Sequence, residues 1–450
     1  MSLDKDTSAA GLRDRLVQRM RGLGRANTVA GESTDKAKGA SASTGVNRRL
    51  AEFTRFDSLP GYRKMLLQAE AAARKGIGNP FFLPHDGVAG ATTTIRGEQF
   101  INYSSYNYLG LCGHPELTEA VHRAVAQYGT SASASRLVSG ERPIQRELEA
   151  ELAELHGVED CVVFVSGHAT NVSTVGQLLG PRDLVIHDAL IHNSIAQGAI
   201  LSGAQRLSFP HNDWQALDKL LTRHRSSRER VLIVIEGIYS MDGDFPDLAR
   251  FVEIKNRHSA WLMVDEAHSI GVLGERCGGL AEHCGVSGEN IDLHMGTLSK
   301  TLAGCGGYIA GSKVLVDFLK FSAPGFVYSV GLSPVLAAAS LTALRIMLRE
   351  PERAEKLREN GQYFLKVARS HGLDTGLSEG FSVVPIVLGS SIRAARASNA
   401  LLARGINVQP IVYPAVEERK ARLRFFISSE HTRAQIDATL AAVAEELARI

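Results

Sequence analysis

The sequence predicts an α/β protein with a mostly parallel, doubly wound sheet and a smaller C-terminal α+β domain. Short apolar runs alternate with amphipathic helical stretches through the middle of the chain, a pattern typical of successive βαβ units. The apolar runs cover residues 161–165, 184–187, 231–235, 261–264, 291–295 and 307–310. Near Pro334 the alternation gives way to two long helical patterns, 335–349 and 352–371, followed by short strand patterns. This change in the pattern of strands and helices predicts that a second domain begins here.

Four segments follow in chain order. Residues 1–50 are predicted to form a flexible tail, and 51–100 an N-terminal arm with a helical pattern over 51–75. Residues 101–333 are predicted to form the large domain and 334–450 the small one, with strands near 382–388 and 423–427 and a last helix from Thr432. Within the tail, Leu12, Leu16 and Met20 share one helical face. A tethered docking helix is therefore the alternative to a solvated terminus.

Composition excludes several classes of partner. The chain has 450 residues with 50 basic and 48 acidic side chains. This balance provides no net positive field that would attract nucleic acid or an anionic membrane. The uncharged stretch 322–344 contains Pro324 and Pro334, which favours a loop leading into a buried helix over a membrane span. Five scattered cysteines form no C-x-x-C pair and no zinc spacing. We expect no metal, and a reduced cytoplasmic setting.

Polar residues cluster at the ends of four predicted strands. Glu236 follows residues 231–235, and Asp265 follows 261–264. Two short segments do the same after other strands: Ser166-Gly167-His168, and Thr297-Leu298-Ser299-Lys300. In an open parallel sheet, ligands bind at the carboxyl ends of the strands. The sequence therefore predicts one pocket at this edge.

The residue types in this pocket match what pyridoxal 5'-phosphate (PLP) requires. PLP needs a lysine to hold its aldehyde as a Schiff base and a carboxylate to keep its ring nitrogen protonated. Lys300, alone in the small and almost uncharged segment 296–304, and Asp265 meet these needs. Main-chain N–H groups at the start of a helix suit its phosphate. The alternative, a helicase acidic box at residues 265–268, would need a G-x-x-x-x-G-K-[ST] phosphate loop, which the chain lacks.

With these residues in place, the chain resembles the α-oxoamine synthase family of fold-type I PLP enzymes from about Asn102 to its C-terminus. This family includes aminooxononanoate synthase, glycine C-acetyltransferase, serine palmitoyltransferase and aminolevulinate synthase. The matching motifs are Tyr106-Asn107-Tyr108-Leu109-Gly110-Leu111, Ser135-Arg136-Leu137-Val138-Ser139-Gly140, Ser166-Gly167, His192-Asn193-Ser194, Glu236-Gly237, Ser240-Met241-Asp242-Gly243-Asp244, Asp265-Glu266-Ala267-His268-Ser269, Thr297-Leu298-Ser299-Lys300 and Arg422-Leu423-Arg424.

The resemblance implies a role for each matching position. His192 is expected to stack on the cofactor ring, Asp265 to pair with the ring nitrogen, and Lys300 to form the Schiff base. His268 and Ser240 are expected at the phenolic oxygen. The remaining positions are Gly167, His168 and Thr297 at the phosphate, Ser166, Glu236 and Ser299 elsewhere in the cofactor pocket, and Arg424 with Asn107 at the amino-acid carboxylate. Lys300, His192, Asp265 and His268 form the implied catalytic set.

The implied reaction is a PLP-dependent decarboxylative Claisen condensation. A small amino acid and an acyl thioester would combine, with release of CO2 and an α-amino ketone. Glycine C-acetyltransferase or aminooxononanoate synthase activity with acyl-CoA, or an aminotransferase activity, stays open as an alternative. A non-catalytic partner subunit would be expected to lack the lysine, and Lys300 is present. The resemblance also implies a homodimer.

After the Ser135–Gly140 motif, the chain departs from the sequence pattern that is usual in the family. Glu141 stands where the family often has Thr, and Gln145 where it often has His. His168 occupies an aromatic position, and Ser329-Val330 replaces a serine-threonine pair. With these residues, the chain is most similar to family members that are associated with polyketide pathways. The acyl donor is therefore expected on coenzyme A or on an acyl carrier protein, with the carrier favoured.

Overall fold

A computed structural model describes residues 50–450 of the chain. The predicted tail, including its Leu12–Met20 face, lies outside these residues. The described chain divides into two compact units, with the boundary between Ala71 and Ala72. The predicted boundary at residue 334 is a different division of the second unit and stays a prediction.

The first unit contains a short 3-10 turn, Phe56–Ser58, and most of helix α1, Pro60–Arg74. The helical pattern predicted over 51–75 is interrupted at residues 54–59. Leu59 adopts ψ 127°, outside the helical region, because the ring of a following proline disfavours the α conformation in the residue before it. Pro60 can begin a helix, since the first turn does not use its missing N–H.

The second unit is built on a seven-stranded sheet. Its strands are β3 (Asp160–Phe164), β4 (Leu184–Asp188), β5 (Gln205–Phe209), β6 (Val231–Glu236), β7 (Trp261–Asp265), β8 (Leu293–Thr297) and β9 (Gly307–Gly311). Their order is β3-β9-β8-β7-β6-β4-β5. Strands β4 to β8 pair in parallel, while β9 runs antiparallel to both β3 and β8. The predicted mostly parallel sheet is confirmed.

Helices connect these strands and cover both faces of the sheet. They are α2 (Pro115–Tyr128), α3 (Pro143–His156), α4 (Gly167–Leu178), α5 (Asn193–Ser202), α6 (Trp214–His224), α7 (Leu248–Arg257), α8 (Leu280–His283), α9 (Lys313–Ser322) and α10 (Pro324–Val327). Strand β6 is buried at every position. Alternate side chains of the sheet enter two separate hydrophobic clusters, one on each face. This is why the strands appear as continuous apolar runs in the sequence.

The chain after Pro334 forms helices α11 (Pro334–Arg349), α12 (Glu352–Ser370), α13 (Ser391–Ala403) and α14 (Arg433–Arg449). An antiparallel sheet with the order β10-β13-β12 combines Val383–Val387, Arg422–Phe426 and Gln409–Ile411. A third sheet pairs the hairpin β1 (Thr92–Ile95) and β2 (Glu98–Asn102) with β11 (Ile406–Asn407). The predicted smaller α+β element is confirmed.

Three strand regions were not predicted from the sequence. Strands β11 and β12 are two and three residues long, too short to show a pattern. Edge strand β5 alternates half-buried and exposed positions, so it carries no apolar run. The hairpin of β1 and β2 consists largely of polar residues. Among residues 50–450, no helix is both long and apolar enough to cross a bilayer.

Candidate active site

All eleven cofactor-binding residues predicted from the sequence line one cavity of about 230 Å³ at the carboxyl ends of β3, β4 and β6 to β8. They are Ser166, Gly167, His168, His192, Glu236, Ser240, Asp265, His268, Thr297, Ser299 and Lys300. Four further residues complete the lining: Asn171, Ser194, Ala267 and Met295. The convergence follows from topology, because neighbouring parallel strands deliver their ends to the same edge.

Lys300 lies in the turn after β8, and its side chain is enclosed by the cavity. Its Nζ lies 5.6 Å from the ring centre of Tyr106. Burial lowers the pKa of Lys300 to about 8, although the nearby Asp265 and Glu236 carboxyl groups oppose this shift. An appreciable fraction of the amine is thus uncharged near neutral pH, the form required both to attack a carbonyl and to accept a proton.

Asp265 ends strand β7 and is buried. Its Oδ2 accepts a hydrogen bond from Asn171 Nδ2 at 3.0 Å, and its Oδ1 accepts one from the Ala267 N–H at 3.1 Å. The same Asn171 nitrogen donates to Ser194 Oγ at 2.9 Å. Asn171 therefore fixes the carboxylate of Asp265, and sequence reasoning did not identify it.

His192 caps the start of α5, where its Nδ1 lies 2.7 Å from Ser194 Oγ. Burial is the main cause that lowers its pKa. The pKa of His268 is lowered well below its usual value, again chiefly by burial. Its Nδ1 lies 2.7 Å from the Tyr108 hydroxyl, and no other described residue bonds its Nε2. Both imidazoles are neutral around pH 7, so they provide hydrogen bonds and ring surface rather than charge.

The start of helix α4 forms an anion cradle. Ser166 caps the helix by accepting from the Ala169 N–H at 3.4 Å, which leaves the N–H groups of Gly167 and His168 pointing outward. Gly167 packs against β9 so closely that a Cβ at Gly307 would lie 2.7 Å from its Cα. Thr297 stands opposite, since a Cβ at Gly167 would lie 3.1 Å from its Oγ1. Glycines at both positions let the helix end reach the cavity.

The two arginines of strand β13 differ in their partners. Arg422 Nη1 is held by Asp242 Oδ1 at 2.6 Å and by the Met241 carbonyl at 2.8 Å. Arg424 Nη1 donates to the Ser240 carbonyl at 3.0 Å, while its Nε is buried without a partner among the described residues. Burial lowers the pKa of Arg424, but a guanidinium keeps its charge. Arg424 is the one with donors to spare for a carboxylate.

The side chain of Asn107 makes contacts other than those of its predicted role at the substrate carboxylate. Its Nδ2 donates to the Ala89 carbonyl at 3.0 Å, and its Oδ1 accepts from the Cys112 N–H at 3.1 Å. Both ends of the amide therefore hold the backbone. Neither Asn107 nor Arg424 is in the lining of the cavity. The contact of Asn107 with a substrate carboxylate stays a prediction.

The departures from the family wording have structural partners. Glu141 receives two hydrogen bonds from Arg136, at 2.6 and 2.8 Å. Gln145 is fully buried and donates to the Leu332 carbonyl at 2.6 Å while accepting from the Arg142 N–H at 2.9 Å. Gln145 therefore ties the start of α3 to the loop before α11, while Glu141 bonds within its own segment. Their effect on the acyl donor stays a prediction.

A second, larger cavity of about 1120 Å³ lies at the amino ends of the strands. Both of its arginines are paired with carboxylates: Arg182 Nε lies 3.0 Å from Glu229, and Arg230 lies 3.7 Å from Asp183. None of its lining residues has a buried polar side-chain atom without a partner in the described part of the chain. Residues 50–450 also contain no group of three or more His, Cys, Asp or Glu placed to hold a metal ion.

The residues of the smaller cavity fit PLP. An amine, a hydrogen-bonded carboxylate and a helix N-terminus line one cavity, and these are the groups that the aldehyde, ring nitrogen and phosphate of PLP require. Lys300 would hold the aldehyde, Asp265 the ring nitrogen, and the N–H groups of Gly167 and His168 the phosphate.

Comparisons with known proteins agree with this arrangement. The family model for aminotransferase class I and II matches residues 98–443. The chain is 39% identical over 351 residues to 8-amino-7-oxononanoate synthase 1 of Bacillus velezensis, a match covering 78% of this chain and 89% of the relative. It is 38% identical over 344 residues to 4-hydroxy-2,2'-bipyrrole-5-methanol synthase PigH of Serratia sp., a match covering 76% of this chain. That match covers 52% of the relative, so the chain spans about half the length of PigH.

A solved structure supports the same assignment. The structure of serine palmitoyltransferase (SPT) with its PLP internal aldimine superimposes on this chain with a TM-score of 0.83 at 28% identity. The match covers 88% of this chain and 100% of that chain. Its fold is that of fold-type I PLP enzymes. The chain therefore belongs to the α-oxoamine synthase family of PLP-dependent, fold-type I acyltransferases.

Proposed function

We propose that the chain condenses a small amino acid with an acyl thioester, releasing CO2 and an α-amino ketone, with PLP held on Lys300. The observation that carries the proposal is a single cavity lined both by the Lys300 amine, whose pKa is lowered to about 8, and by the hydrogen-bonded carboxylate of Asp265. Bound there, PLP supplies the electron sink for a carbanion at the amino-acid Cα. The protein supplies the positions and the protons.

Each side chain has one task in this proposal. Lys300 Nζ accepts the Cα proton, because a substantial share of the amine is neutral at pH 7 to 8. Asp265 holds a negative charge against the ring nitrogen. The neutral imidazole of His192 covers the ring, and Arg424 binds the substrate carboxylate with its spare donors. Holding ring and carboxylate together orients the bond that must break.

The test is to incubate the PLP-loaded protein with each small amino acid across a series of acyl thioesters. Release of one CO2 per amino ketone is the expected result. Formation of a keto acid without CO2 would instead indicate an aminotransferase. No product with any pair, in protein that binds PLP, would reject the condensation.

We propose a homodimer as the working form. The segments 134–140 and 327–332 are joined by hydrogen bonds from Ser135 to Val327 and from Gly331 to Ala134. Together they expose four apolar side chains: Leu137 (45%), Val138 (81%), Tyr328 (86%) and Val330 (49%). A contiguous apolar surface of this kind is typical of a protein contact, and a second copy of the chain is the occupant that the family resemblance implies.

Sedimentation velocity of Val138→Glu tests this contact. We expect the dimer to dissociate, since a carboxylate buried at the interface would be unpaired. Val314→Glu is the matched control, because Val314 is 79% exposed on helix α9, away from this surface. A fully active monomer of the unmodified protein would contradict the proposal.

We also propose that the acyl group arrives on a carrier protein, in a cytoplasmic setting suited to five free cysteines. The support is the sequence of residues 140–145, where Glu141 and Gln145 depart from the residues that the family often has. The measurement is kcat/KM for one acyl group presented on a carrier protein and on coenzyme A. Equal or better efficiency with coenzyme A would reject carrier specificity.

A further inference from the structure

Two carboxyl groups stand side by side in the candidate site. Glu236 ends β6 and Asp265 ends β7, and the two are direct register partners on these parallel strands. Paired positions on adjacent strands lie about 4.8 Å apart and point to the same face of the sheet. Both side chains line the cavity, and the residues are 3% and 5% exposed. Two buried carboxyl groups this close do not both ionise readily.

The hydrogen bonds are divided unequally between the two groups. Asp265 accepts one bond on each oxygen, from Asn171 Nδ2 and from the Ala267 N–H. Glu236 accepts a hydrogen bond on Oε2 from the Ser240 N–H at 3.1 Å. Its Oε1 is buried and has no partner among the described residues. Because donated hydrogen bonds stabilise the ionised form, Asp265 is the better anion and Glu236 the better acid.

The surroundings of Glu236 favour the same assignment. Burial, followed by the charge of Asp265, raises the pKa of Glu236 to about 8. The backbone N–H of Ser240, the charge of Lys300 and the backbone N–H of His192 act in the opposite direction but do not outweigh these two causes, and burial lowers the pKa of the His192 imidazole. Tyr239, on the other side, has its pKa raised by burial and provides no charge near neutral pH. The raised pKa and the unpartnered Oε1 together favour a protonated Glu236 near neutral pH.

We propose that Glu236 acts as a neutral carboxylic acid whose Oε1 donates a hydrogen bond to the phenolic oxygen of the bound cofactor, beside Ser240. The phenolic oxygen is the fitting acceptor because it is anionic and because Ser240, assigned to it, is bonded directly to the other oxygen of Glu236. This inference deepens the proposed function and depends on PLP being the cofactor. The acid stabilises that oxygen without adding a second negative charge next to Asp265.

The variants Glu236→Gln and Glu236→Leu test whether Glu236 acts as a hydrogen-bond donor or as an anion. The Gln side chain keeps an N–H donor of the same length and cannot ionise, while Leu has a similar size and no donor. We expect the PLP dissociation constant of Glu236→Gln to stay within about threefold of the unmodified protein, and that of Glu236→Leu to rise about tenfold. Glu266→Gln is the matched control, because Glu266 is a buried carboxyl bonded to Leu280 and Ser269 outside the cavity. It should leave PLP affinity unchanged.

Infrared spectroscopy of the cofactor-free protein gives a readout independent of turnover. A protonated carboxyl band present at pH 7, diminished at pH 9 and lost in Glu236→Gln would support the proposal, even if Glu236→Leu fails to fold. Equal loss of PLP affinity in the Gln and Leu variants, or no band assignable to Glu236 at pH 7, would overturn it. If these results hold but no amino acid and thioester react, the proposed function fails while this inference stands.

Discussion

The two cavities of the large sheet differ in a way that locates the chemistry. The larger one, about 1120 Å³ at the amino ends of the strands, holds two arginines that are each paired with a carboxylate. The smaller one, about 230 Å³ at the carboxyl ends, holds a lysine with a lowered pKa and a carboxyl oxygen without a partner. Unsatisfied and perturbed polar groups, rather than volume, distinguish a site that is built to receive another molecule.

Lys300→Ala should have the largest effect. Without the amine there is neither a covalent attachment for the cofactor nor a base at Cα, so we expect turnover to fall a thousandfold or more, at about the upper range of general-base effects. Borohydride reduction followed by mass analysis should find no PLP adduct. Lys313→Ala is the control, since Lys313 pairs with Asp317 on exposed helix α9. Retained adduct and activity in Lys300→Ala would transfer the role to another residue.

His211 provides a contrast to the residues of the smaller cavity. It is ionisable and near the site edge, but both of its ring nitrogens have hydrogen-bond partners. It bonds Asp188 at 3.0 Å and Asp244 at 2.8 Å. Burial opposes its charge, but these two carboxylates outweigh burial and raise its pKa to about 10. Since the folded pKa lies above the ordinary value of about 6.5, the stabilisation is complete below pH 6.5 and is lost as pH rises toward 10.

The measurement is the free energy of unfolding of His211→Gln against pH. We expect a loss of about 3 kcal/mol at pH 6, because two buried carboxylates lose their cation, and a smaller difference from the unmodified protein at pH 9. A difference that does not change between these pH values would mean that His211 is not charged in the folded protein.

Arg424→Ala should act on substrate binding rather than on cofactor binding. Loss of a charge-assisted contact to the carboxylate is expected to raise the amino-acid KM about 10- to 100-fold. Arg424→Lys should restore little, because an ammonium group cannot form the forked contact. An unchanged KM in Arg424→Ala would point to Arg422, which in this structure is already bound to Asp242.

Arg182→Ala should have the smallest effect and tests the larger cavity. Its side chain is 81% exposed and pairs with Glu229. A surface ion pair of this kind contributes less than about 1 kcal/mol, so stability and kcat/KM should be nearly unchanged. A marked loss of activity would show that the amino-end cavity takes part in function, and the contrast drawn between the two cavities would fail.

The sequence alone determined the sheet and the contents of the site. Apolar runs identified six strands of the central sheet, because strands buried on both faces must be apolar throughout. The polar residues directly after those runs could then be placed in one pocket, and eight of them line one cavity, while His192, Ser240 and His268 were implied by the family resemblance. Local order along the chain carries this information, since each side chain follows its own strand.

Only the tertiary structure decided how those side chains are held and charged. Asn171 bonds Asp265 across 94 positions of sequence, and no local pattern links them. The same holds for the register that sets Glu236 beside Asp265 and for the unequal partners of Arg422 and Arg424. Burial and hydrogen bonding fix protonation, and both depend on neighbours that are distant in the chain. The sequence therefore specified which groups meet, and the fold specified which of them carries the proton.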